Sequence, residues 1–173
     1  MAISLYDVSI GTYLQTLGAL SGVLQKGRHH CEANGIDLNE IVAMRLHPDM
    51  NPFRFQIHAV SHLSLGAWNG LQAGKFSPPS PVPDLDYAGF QQLVADTHTE
   101  LGKVSRESAE ALENTQVLFQ IGDFKMPFTA TNFVLSFSLP NVFFHATTAY
   151  DMLRMKGVPL GKIDFLGQMR IGA

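Results

Sequence analysis

Apolar residues at Ile10, Tyr13, Leu14, Leu17, Leu20, Val23 and Leu24 recur every three or four positions, with Thr12, Gln15 and Thr16 between them. That period marks one face of an amphipathic helix. The spacing predicts a first long helix over 4–30 with Gly35 beyond its end, then a short helix capped by Asp37 that runs to Leu46 and is stopped by His47-Pro48. Asn51-Pro52 reads as the N-cap and first residue of a second long helix, because proline lacks only a donor that this position leaves free. Phe53, Ile57, Val60, Ser64, Ala67 and Leu71 form one stripe of it, and Phe55, His58, His62 and Leu65 form an adjacent one. The buried arc is therefore wide.

Gly74 and the run Ser77-Pro78-Pro79-Ser80-Pro81-Val82-Pro83 end that helix. Such proline density gives an extended, semi-rigid connector, and its length suits a crossover between bundle helices better than a tight turn. A third long helix, capped by Asp84 or Asp86, carries Tyr87, Phe90, Val94, Thr97, Leu101, Val104 and Ser108 on one face and ends near Asn114. The period then falls to two at Val117, Phe119 and Ile121, with Gly122-Asp123 as a turn and a return over 125–129, which reads as a hairpin. Pro140 opens a fourth long helix with Val142, His145, Ala149 and Met152 facing inward; Arg154, Lys156, Gly157 and Pro159 mark its end. The remaining tail packs on the bundle. The expected fold is one mainly α domain over 1–173, a four-helix bundle with a short β-hairpin-like insert before the last long helix.

Composition narrows the function classes. Apolar residues make up 46% and charged residues 16% of the 173, a globular balance. A net charge of −3 with scattered Lys and Arg offers no basic stripe for phosphates, so nucleic acid is not an expected partner. The stretch from Met126 to Tyr150 has no Lys, Arg, Asp or Glu, yet Pro127, Pro140, Asn132, Asn141 and His145 break it up, whereas a spanning helix needs about 20 mainly apolar residues. A core or a subunit interface is the expected home of that stretch. With one cysteine, Cys31, and no secretory leader pattern, the expected compartment is the cytoplasm.

The sharpest chemical signal is His58-x-x-x-His62. Imidazoles four apart share a helix face and can bind one divalent metal. It lacks the glutamate of a metalloprotease motif, and His145 on the last helix is the natural third ligand, since bundle cores build metal sites from facing helices. The plainer alternative has His58 and His62 hydrogen-bonded beside the apolar arc and His145 satisfied in the core. Cys31 has no surrounding nucleophile motif, and no glycine-rich phosphate loop follows a strand.

The stretch Pro140-Asn141-Val142-Phe143-Phe144-His145-Ala146-Thr147-Thr148-Ala149-Tyr150-Asp151, with Met152-Leu153-Arg154 and Gly157-Val158-Pro159-Leu160-Gly161-Lys162 beyond it, resembles a bacterial family of unknown function within the DinB-like helical bundles. The start of the second helix at 51–55 and the segment over 4–14 resemble it too. The resemblance implies a DinB-like four-helix bundle, dimerisation, and a three-histidine metal site that serves thiol transferases or isomerases in some members. His145 matches the first of two family histidines four apart on the last ligand helix, and Ala149 stands where the second would be. Two expectations result. One is a metal-binding or degenerate metal-dependent enzyme, with His62, His145 and His58 around a divalent zinc, nickel, iron or manganese ion and a small-molecule substrate. The other is a non-catalytic bundle that binds a hydrophobic small molecule or forms a homodimer.

Overall fold

The computed structural model describes residues 3–172. Helices α1 (Leu5–Val8), α2 (Ile10–Ala33) and α3 (Leu38–Ala43) lead into α4 (Phe53–Ser61), which continues through a π turn (His62–Gly66) into α5 (Ala67–Ala73). Strand β1 (Lys75–Phe76), the proline connector, α6 (Tyr87–Leu101) and α7 (Arg106–Glu110) follow. The hairpin is β2 (Gln116–Ile121) and β3 (Phe124–Thr129). Then α8 (Ala130–Phe133) passes through a second π turn (Val134–Ser138) into α9 (Leu139–Met155), and α10 (Lys162–Leu166) lies on α2.

Each of α2 and α4 packs on both α6 and α9. Tyr13 meets Ser138 and His30 meets the Lys156 carbonyl, so α2 and α9 run the same way. Leu63 meets Ser138 and Gln56 meets His145, so α4 opposes α9. Phe53 stacks on Tyr87 at 6.1 Å, which places the starts of α4 and α6 together. The connector between α5 and α6 therefore crosses back along the bundle, as its length requires. Buried side chains from all four long helices, among them Tyr13, Phe53, Phe90, Phe133 and Met152, form one core. No described helix is long and apolar enough to cross a membrane.

Several boundaries differ from the pattern-based expectation for local reasons. The first helix breaks at Ser9, whose Oγ donates to the Leu5 carbonyl at 2.6 Å, a local bond that competes with the helical ladder. Pro52 is the N-cap of α4 rather than its first residue. The third helix stops at Leu101, and Ser105 caps a separate α7 by accepting from the Ser108 amide. The hairpin gains a third strand, because β1 pairs in parallel with β2 (Phe76 opposite Phe119); Pro127, with no amide to donate, lies on the edge strand β3.

Pro140 does not open a helix. It sits inside a continuous helical run from 130 to 155 that Thr129 caps by accepting from the Asn132 amide. Pro140 cannot donate to the Ser136 carbonyl and its ring crowds that turn, and the π turn immediately before it absorbs the mismatch. The C-terminal signals read as expected: Arg154 lies in the last turn, and Gly157 takes φ +85° after the Lys156 cap.

Candidate functional site

The two π turns face each other. In the first, the Leu63 carbonyl accepts from Ser138 Oγ of the second. With that proton committed, Ser138 Oγ accepts from Tyr13 OH at 2.6 Å. Burial pushes the Tyr13 phenol well above its ordinary pKa, so it stays a donor. The chain of three groups locks α2, α4 and α9 at one level, and π turns are often found where a helix must re-aim side chains at a functional site.

Beside this lock lies a partly open pocket of about 200 Å³. Phe55, Ala59, His62 and Leu63 form its α4 wall, and Phe137, Asn141 and His145 its α9 wall. Phe76 and Phe119 of the sheet close one side, and Pro78 and Pro79 of the connector close another. The aromatic rings pack in mutual contact, with centroids of Phe76 and Phe137 at 5.9 Å and of Phe119 and Phe137 at 4.9 Å. A larger concavity of about 1090 Å³ lies on the opposite side of the same helix, lined by Leu135, Leu139 and Phe143 with Asp7 and Arg106 at its rim. It is open, and no histidine or cysteine lines it. The smaller pocket is the one that brings two histidines together.

His62 and His145 thus come to one cavity from facing helices, but they are held differently. His62 Nε2 lies 2.9 Å from the Ser77 carbonyl, which can only accept, so the ring proton is on Nε2. Its Nδ1 backs onto its own helix at Gly66, where a Cβ would approach to 2.8 Å; glycine makes room for the ring. One turn earlier His58 Nε2 donates to the Ser80 carbonyl at 3.2 Å. The two histidines peg the connector to α4, supplying donors to a segment whose prolines leave carbonyls without amide partners.

His145 is set from behind. Gln56 Nε2 donates to the Asn51 carbonyl at 2.9 Å, which orients the amide so that Oε1 accepts from His145 Nδ1 at 2.7 Å. Gln56 is buried and is not a cavity residue. The proton of His145 is therefore on Nδ1, and Nε2, which has no protein partner among the described residues, is left as an acceptor on the cavity side. Burial lowers the His145 pKa to about 4 and also lowers that of His62, despite the Ser77 bond, so both rings are neutral near pH 7.

The donor set does not fit a closed three-ligand metal centre in this arrangement. Ala149 is buried where a further histidine would project, His58 and His62 spend Nε2 on the connector, and no group of three His, Cys, Asp or Glu is poised for a metal among the described residues. Three features of the site depend on partners distant in sequence: the Gln56 relay, the connector carbonyls and the phenylalanine wall from β1 and β2. The polar Gln56 one turn before the Val60 stripe was the available hint.

No curated protein matches the chain. Among solved structures, the fold is similar to that of a DinB family member protein from Shewanella denitrificans, with a TM-score of 0.81, 24% identity, and coverage of 98% of this chain and 95% of that one. A family model described as a domain of unknown function, DUF1993, matches residues 5–166. With nearly the whole bundle inside that match, the chain belongs to the DUF1993 family, and its fold is that of the DinB family member.

Proposed function

We propose that this bundle binds a small hydrophobic molecule in the cavity between α4 and α9. The observation that carries the reading is the apolar lining: a pocket of about 200 Å³ with Phe55 of α4, Phe76 and Phe119 of the sheet and Phe137 of the second π turn on its walls, and His62, Asn141 and His145 as its polar points. Apolar pockets of this order take up small aromatic molecules. A ligand that binds only the folded state raises the melting temperature in proportion to its occupancy. Toluene is expected to stabilise the protein saturably, and Ala59→Leu, which fills the cavity, is expected to remove that shift. No shift with the unsubstituted protein would overturn the proposal.

The second reading, a metal-dependent thiol transferase or isomerase, is favoured by one observation: His62 and His145 line the same cavity from facing helices. It needs His62 to leave Ser77 and a further ligand, with His58 released from Ser80 as the candidate. Elemental analysis after loading with zinc, nickel, iron or manganese decides it. A stoichiometric metal lost in the His62→Ala/His145→Ala protein would establish this reading, and equal metal content in both would dispose of it. A homodimer through the open side of α9 is compatible with either reading.

A further inference from the structure

We infer that the cavity selects phenols: uncharged, single-ring aromatic molecules with one hydroxyl group to donate. The inference rests on the preceding reading and adds to it the chemistry of the ligand. A single ring fits the volume, since about 200 Å³ exceeds the roughly 150 Å³ of an apolar cavity that takes up benzene. An aromatic guest follows from the walls, because Phe55, Phe76, Phe119 and Phe137 offer both faces and edges to a ring.

The hydroxyl follows from hydrogen-bond bookkeeping. The Gln56 relay puts the His145 proton on Nδ1 and leaves Nε2 as an unpartnered acceptor. Asn141 Nδ2 donates to the Phe137 carbonyl at 2.7 Å, which turns its Oδ1 outward as a second acceptor. Against these acceptors stands one spare N–H on Asn141. A guest without a donor leaves Nε2 desolvated and unpaired, whereas a phenolic O–H satisfies it. An anionic guest is disfavoured, because no Lys or Arg lines the cavity and the acceptors repel negative charge.

Phenol and toluene have nearly the same shape, so the ratio of their dissociation constants isolates the hydroxyl. In the intact protein the ratio is expected to favour phenol by about tenfold more than it does in His145→Leu, equivalent to about 1.4 kcal/mol. Equal ratios in the two proteins, with toluene still bound, would overturn the phenol inference and leave the apolar cavity standing. Failure of both compounds to bind would overturn both. Should His145→Leu not fold, nitrogen-15 spectra of the intact protein decide instead: the Nε2 resonance of His145 moves with phenol and not with toluene, and equal movement or none overturns the inference.

Discussion

The helix from 130 to 155 has two apolar sides that differ in what covers them. On one, Phe137, Asn141 and His145 face a pocket bounded by the sheet, the connector and α4. On the other, Leu135, Leu139 and Phe143 face an open groove, and Leu135 at 48%, Phe143 at 41% and neighbouring Phe144 at 57% remain exposed. Both sides belong to the charge-free stretch from Met126 to Tyr150. The covered side has its polar atoms fixed one by one through Gln56, Asn51 and Ser138; the open side sets exposed apolar residues of the helix against a rim where Arg106 pairs with Asp7 and Glu110. A small apolar pocket with fixed acceptors suits a small ligand, whereas an exposed apolar row suits a flat partner.

The sharpest way to break the covered side is to remove what holds it shut. Phe133 is fully buried and packs on Phe76, Phe128 and Phe137. Phe133→Ala should cost about 3–5 kcal/mol in urea unfolding, and a loss under 1 kcal/mol would mean the sheet is not part of the core. Ser138→Ala comes next, because it leaves both the Leu63 carbonyl and the Tyr13 hydroxyl without partners; about 1–3 kcal/mol should be lost. Tyr13→Phe should cost less, since Ser138 then still satisfies Leu63.

How much of this was legible follows from the range of each signal. The α2 stripe, the Asp37 cap, the hairpin turn and the Gly157 end are written in residues within a turn of one another, and the structure has them all. Pro140 misled because a proline favours a helix start locally, and only the capped run from Thr129 with its π turn shows that the helix is already under way. His62 and His145 were legible as inward residues of two helices. Their tautomers were not, since these depend on the Ser77 carbonyl and on Gln56, partners 15 and 89 residues away.

Acid separates the covered histidines from ordinary ones. His145 titrates at about 4 in the folded chain against an ordinary 6.5, and burial lowers His62 in the same direction. Below pH 6.5 the unfolded chain binds protons that the folded chain refuses, so this contribution to stability is full above 6.5, declines as pH falls towards 4, and levels off below it. Denaturant midpoints across that window check the slope, which should shrink in His145→Leu. The smallest effect belongs to the open side. Phe143→Asp should change monomer stability by no more than about 0.5 kcal/mol; if the groove is a dimer interface, light scattering should show the mass of the unsubstituted protein halved in the variant.

The most direct test of the covered side as a ligand site is a crystal structure of the protein soaked with phenol. The expected result is a ring in the pocket against Phe55 and Phe137 with its hydroxyl within hydrogen-bond distance of His145 Nε2, and His62 still bonded to the Ser77 carbonyl. An empty cavity in phenol-saturated crystals, or a metal ion bridging His62 and His145, would contradict it.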